Sequence, residues 1–194
     1  MRRLRILIIA MMGLLLTAAG TPGHQDRLRA NLIGFREVPA NSTVASGDFR
    51  AEISDDDTTI HYKLTYSGLE GTVTQAHIHF GQRFVAGGIS LWLCQVPGVT
   101  TDPAGLAPTC PQEATRNNPV EGNLTFNNLV GPAAQGIDGG TPPVRTPEEF
   151  AEIIKAIRAG LTYANVHSTK FPSGEIRGQI KVDDRDDKRH HDHH

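Results

Sequence analysis

Residues 161–180, LTYANVHSTKFPSGEIRGQI, carry the pattern on which the fold turns. They read as two short strands, Leu161–His167 and Glu175–Ile180. Pro172, Ser173 and Gly174 lie between them and suit the turn of an antiparallel hairpin. Successive strand residues point to opposite faces, so Ala164 and Val166 share one face and Tyr163, Asn165 and His167 the other. The second strand divides likewise, with Ile176, Ile180 and Val182 against Glu175, Arg177 and Gln179. One face is expected to be core and the other polar. Residues 74–81, TQAHIHFG, repeat the pattern: Ala76, Ile78 and Phe80 face inward and His77 and His79 turn outward together. If that strand joins the hairpin in one sheet, three histidines, a carboxylate and a guanidinium gather on one surface.

Further alternation surrounds this centre. Residues 47–53 and 60–66 form a hairpin across the polar turn Ser54-Asp55-Asp56-Asp57, and a first strand covers residues 28–38 with a break at Gly34. Residues 89–93 place Ile89, Leu91 and Leu93 inward with Trp92 on the other side, and residues 120–126 resume the alternation. Residues 95–119, rich in Pro, Gly, Thr and Asn, read as a long loop. A helix is expected over about 147–159, with Thr146 as N-cap, Pro147 at the first position, Glu149 completing a capping box and Gly160 as stop. Phe150, Ile153, Ile154 and Ile157 form its apolar stripe. Many short strands and one helix predict an all-β architecture, a Greek-key β-sandwich or flattened barrel.

The ends read differently. Arg2, Arg3 and Arg5 precede an apolar run to Leu16 and small residues at Thr17-Ala18-Ala19, so residues 1–19 read as a signal peptide. That run is short of the roughly 20 apolar residues a membrane span needs. Export to the periplasm or beyond the cell is expected, with no membrane span after cleavage. Without those three arginines, sixteen Lys and Arg stand against twenty-one Asp and Glu, a net charge of −5. No basic stripe is visible along the chain, which argues against nucleic acid. The two cysteines, Cys94 and Cys110, suggest a disulfide in an exported chain. Residues 183–194, with aspartates and four histidines and no apolar residue, read as a disordered tail able to capture metal loosely. A monomeric domain over residues 28–182 is expected.

LIGFREVP (32–39), YSGL (66–69), AHIHFG (76–81), YANVH (163–167) and GEIRGQ (174–179), in that order, resemble the CHRD domain, first named from chordin. The resemblance covers roughly residues 28–182 and implies an extracellular β-rich binding domain; chordin's cysteine-rich modules are absent. More locally, His77-Ile78-His79-Phe80-Gly81 and Val166-His167 resemble copper-binding strands of copper/zinc superoxide dismutases, where an arginine beside copper is a part Arg177 could play. The bridging histidine and zinc-loop cluster of those enzymes have no counterpart.

Two imidazoles at i and i+2 of a strand, joined by a third from a neighbour, can hold copper or zinc with one position left open. His77, His79 and His167 are the candidate ligands. Glu175 is expected to orient a ligand histidine, Arg177 to attract an anion, and Asn165 to orient a ring or water. The competing reading makes the three histidines hydrogen-bonded structural residues and Glu175 and Arg177 an ion pair. With histidines of ordinary pKa, metal affinity would weaken as pH falls through about 6.5. Three functions follow: a binding module for metal or for an extracellular protein or matrix partner, a copper-dependent oxidoreductase of superoxide-dismutase type, or a metal-free structural or adhesion domain. No nucleophile elbow or phosphate-binding glycine loop is present, which disfavours a hydrolase or nucleotide enzyme.

Overall fold

The computed structural model describes residues 26–139 and 145–183. The expected signal peptide, and the tail beyond Asp183, lie outside the described residues. Nine strands form among them: β1 Arg27–Ile33, β2 Ser46–Ile53, β3 Ile60–Ser67, β4 Val73–Phe80, β5 Gly88–Gln95, β6 Val120–Leu124, β7 Thr162–Ser168, β8 Ile176–Gln179 and β9 Lys181–Val182. One helix, α1, spans Pro147–Arg158. The strands pair antiparallel in the order β5-β4-β7-β8-β1-β2-β3-β6, with β9 also against β1. The sheet bends until its ends approach, and the Tyr62 hydroxyl of β3 donates to the Leu93 carbonyl of β5 at 2.6 Å. The protein is thus mostly β, a nearly closed barrel with one helix, as the alternation predicts.

The core is built by period-two burial. Leu28, Ala30 and Leu32 of β1, Phe49, Ala51 and Ile53 of β2, and Ile60, Tyr62, Leu64 and Tyr66 of β3 are buried while their neighbours along the strands face out. Phe150, Ile153, Ile154 and Ile157 of α1 add the apolar stripe expected of them. Each such side chain contributes roughly 1.5–3 kcal/mol by leaving water. Thr146 caps α1 by accepting from the Glu149 N–H at 3.3 Å. The Glu149 carboxylate accepts instead from the Asp138 N–H at 3.0 Å, so only half of the expected capping box forms.

Three local features change or add to the expectations. The first strand stops at Ile33, because Gly34–Arg36 turns as a 3-10 helix. A side chain at Gly34 would lie 2.7 Å from the Asn41 carbonyl oxygen, which shows how tightly the turn folds back. The long loop over residues 95–119 is tied by the Cys94–Cys110 disulfide, as expected, and by Asp102, which sequence reading passed over. The Asp102 carboxylate is buried and accepts the N–H groups of Ala104, Leu106 and Ala107, each at 2.9 Å.

The third change matters most for function. In β4, β7 and β8 the face opposite the core is not open to water; every residue of β7 is buried. Connecting loops fold over it. Asn41 donates to the Gly174 carbonyl at 2.7 Å, and Gln179 donates to the carbonyls of Gly81 and Gly160 at 2.9 and 2.8 Å. The polar face of the organising hairpin is therefore a second interior.

Candidate metal centre

Cross-strand register assembles this interior. His77 of β4 lies opposite Asn165 of β7, which lies opposite Arg177 of β8, and His79 lies opposite Tyr163, which lies opposite Gln179. His167 sits two residues beyond Asn165 and opposite Gln75. The three histidines thus converge as expected, with ligand atoms all within 4.8 Å of one another. His77 is fully buried, and His79 and His167 are nearly so.

The rings are held by a shell of specific contacts. Nδ1 of His79 is 2.9 Å from the Gly87 carbonyl, and Nδ1 of His167 is 2.9 Å from the Pro172 carbonyl. A carbonyl only accepts, so both Nδ1 atoms carry the proton and both Nε2 atoms present lone pairs. Nε2 of His167 is 3.2 Å from Nδ1 of His77 and 3.1 Å from Oδ1 of Asn165. Nε2 of His79 and Nε2 of His77 are buried without a hydrogen-bond partner. Trp92 packs edge-on against His77 at 4.3 Å, and Tyr163 stacks on His79 at 4.7 Å, so aromatic walls fix both rings.

Burial in this apolar box, reinforced by the neighbouring histidines, holds His77 well below the ordinary imidazole value. The same burial lowers His79 to about 4 and also lowers His167, in each case against the opposing effect of its carbonyl partner. All three are neutral near pH 7. The proton competition expected near pH 6.5 is thereby displaced to more acid pH.

Arg177 stands on the expected face, opposite Asn165, but it and Glu175 make other contacts than those expected. The Arg177 guanidinium lies 3.3 Å over the Tyr163 ring and donates to the carbonyls of Val85 and Gln82 at 2.9 and 3.2 Å. Glu175 is fully buried, and its Oε1 accepts from the Thr43 hydroxyl and the Glu70 N–H, each at 2.8 Å. Those partners belong to loops above β8, and no Glu175–Arg177 ion pair forms among the described residues.

The carboxyl beside the histidine cluster is Glu37, which sequence reading quoted within a motif but gave no role. It is buried, with its Oε1 unpartnered. Burial raises its pKa to about 7, while the Arg177 charge and a hydrogen bond from Asn165 oppose the rise. A Cβ at Gly174 would lie 2.4 Å from Glu37 Oε1 and 2.9 Å from Asn165 Nδ2, and Gly174 itself has φ +126°. Glycine is required there twice over, by conformation and by space. The signal available in the sequence was weak: Glu37 precedes a turn, and nothing local links it to β7.

Three neutral imidazoles with buried lone pairs form a donor set suited to a borderline cation. Comparison with known proteins agrees with the family reading: the family model described as CHRD domain matches residues 28–180. No curated protein and no solved structure matches the chain.

Proposed function

The chain belongs to the CHRD domain family, and from that premise we propose that it is an exported binding module whose histidines His77, His79 and His167 hold one copper or zinc ion. The observation that carries the reading is the pair of orphaned, buried Nε2 atoms on His77 and His79 beside a His167 whose Nδ1 is committed to a carbonyl. Leaving a buried acceptor unpaired costs roughly 1–3 kcal/mol, and a cation removes that cost. Metal-ligating histidines characteristically donate their second N–H to a carbonyl or carboxylate, as His79 and His167 do here. The ligand nitrogens of the three rings lie within 4.8 Å of one another, close enough for one ion to draw them together. The Pro172 carbonyl orients the His167 ring through Nδ1, and Tyr163 and Trp92 keep water from the other two.

The Cys94–Cys110 disulfide supports export. A binding role is favoured over dismutation because Arg177 is engaged by two carbonyls and by Tyr163.

The decisive experiment is metal titration of a protein in which His190, His191, His193 and His194 are replaced by alanine. One equivalent of Cu²⁺ or Zn²⁺ is expected to bind, and His79→Ala is expected to lose it while keeping the circular-dichroism spectrum of the parent. Absence of stoichiometric binding would return the triad to a structural role. Superoxide turnover by the copper form above that of free copper, lost in His167→Ala, would make the protein an enzyme.

A further inference from the structure

A basic stripe, not visible along the sequence, forms across it. On the outer face, Lys181 of β9 lies opposite Arg29 of β1, Arg29 lies opposite Arg50 of β2, and Arg50 lies opposite Lys63 of β3. All four are exposed. With strands about 4.8 Å apart, they form a straight row of four positive charges roughly 14 Å long. Like charges directly opposite one another destabilise a sheet, and this row contains three such pairs in succession. Ion pairs relieve its members unevenly. Arg29 meets Asp183 at 3.5 Å and Lys63 meets Glu121 at 2.9 Å, whereas Arg50 and Lys181 have no carboxylate at ion-pairing distance among the described residues.

The row lies along a groove of about 1370 Å³. Eight cationic side chains and four carboxylates line it, in a chain whose overall charge is negative. Arg83 and Phe84 also line it, with the Arg83 guanidinium 4.8 Å from the centre of the Phe84 ring; Phe84 is 69% exposed and its backbone has φ +67°. That conformation is an outlier for a bulky side chain, so the loop carries an apolar ring into solvent at a conformational cost.

We propose that this groove binds a linear anionic polysaccharide bearing a carboxylate on each sugar ring. An extended chain of pyranose rings repeats its substituents at a spacing close to that of adjacent strands, so successive carboxylates can meet successive members of the row. Arg29 and Arg50 offer the planar fork that pairs with a carboxylate through two hydrogen bonds. Phe84 offers a flat apolar face for the C–H side of a sugar ring. Single-stranded nucleic acid is the less fitting polyanion, because its binding uses a succession of aromatic platforms, whereas of the rings lining the groove Phe49 and Tyr62 are buried and only Phe84 and His61 are exposed. The inference is independent of the histidine site.

The test uses the full-length mature protein and measures binding to polygalacturonate, dextran and a single-stranded oligonucleotide at low ionic strength. Polygalacturonate is expected to bind, dextran is not, and added salt is expected to weaken the complex. Arg50→Glu places a carboxylate between Arg29 and Lys63, so it should lower affinity by about tenfold or more while raising the thermal midpoint of the protein. That opposition of signs separates a ligand-binding row from a structural one. Should Arg50→Glu lower the midpoint, Lys181→Glu at the end of the row provides the affinity readout. The proposal fails if polygalacturonate does not bind, if the folded variant binds it as well as the parent does, or if the oligonucleotide binds more tightly.

Discussion

Across β4, β7 and β8 the row His77, Asn165, Arg177 is buried, and each ionisable member is locked by carbonyls, an aromatic ring or another imidazole. Across β9, β1, β2 and β3 the row Lys181, Arg29, Arg50, Lys63 is exposed, and its members share a sign. Both rows depend on the same device, strand register. They differ in what surrounds them: in the first, burial selects the neutral form of the histidines, while in the second, water screens charges that would otherwise repel. Ionisation state should therefore govern stability in the buried row and matter little in the exposed one.

The largest expected effect is the pH dependence of the metal-free protein. The histidines have folded pKa values below the unfolded 6.5, so the stability they confer is complete above pH 6.5 and is lost as pH falls toward about 4 for His79. For His79 alone the loss is roughly 3 kcal/mol. Glu37 acts in the opposite sense: its folded pKa, about 7, exceeds the unfolded value, so its contribution is complete below about 4.5 and is lost as pH rises through 7. Three histidines outweigh one carboxyl on the acid side. Urea midpoints should rise from pH 5 and level off above about pH 7, and a flat profile from pH 5 to 8 would contradict the buried, neutral triad.

Arg177→Met comes next. It removes a buried cation from the Tyr163 ring and leaves the carbonyls of Val85 and Gln82 short of a donor, a loss of about 3 kcal/mol in denaturant unfolding. Arg50→Met on the exposed row should cost almost nothing, and equal losses at the two sites would erase the contrast between them. Glu37→Gln is expected to stabilise the protein at pH 8 by about 2 kcal/mol, because it supplies the neutral group that burial favours. At pH 5, where Glu37 is already protonated, the two proteins should unfold at similar urea concentrations. The smallest effect is Arg50→Thr, which ends two like-charge pairs and should raise stability by a few tenths of a kcal/mol. A thermal midpoint unchanged or lowered would mean that water already cancels the repulsion.

Legibility in the sequence followed the range of the interaction. Alternation marked β2, β3 and β7 with the core face of each, and the i, i+2 spacing of His77 and His79 marked the site, because both signals lie within one strand. Alternation also turned Ile89 inward, although Ile89 is only half-buried and stands outside the core. The helix was equally readable from Thr146, Pro147 and the stripe through Ile157. Covering loops were not: nothing near Glu175 says that Thr43 and Glu70 will hold it, and nothing near Glu37 says that Asn165 will reach it. The same limit hid the basic row, since Arg29, Arg50, Lys63 and Lys181 become neighbours only once four strands are in register. Periodicity assigned outward faces correctly but carried no information about what would lie over them.

Trp92 is the only tryptophan of the chain, and its ring lies 4.3 Å from His77. The molecule thus carries one indole chromophore, sealed from water and placed against the histidine cluster. Its emission should be blue-shifted, should dim when the adjacent imidazole gains a proton, and should be extinguished by a paramagnetic ion at the triad while surviving a closed-shell one. Events in the buried interior are in that sense self-reporting, readable by light without a label.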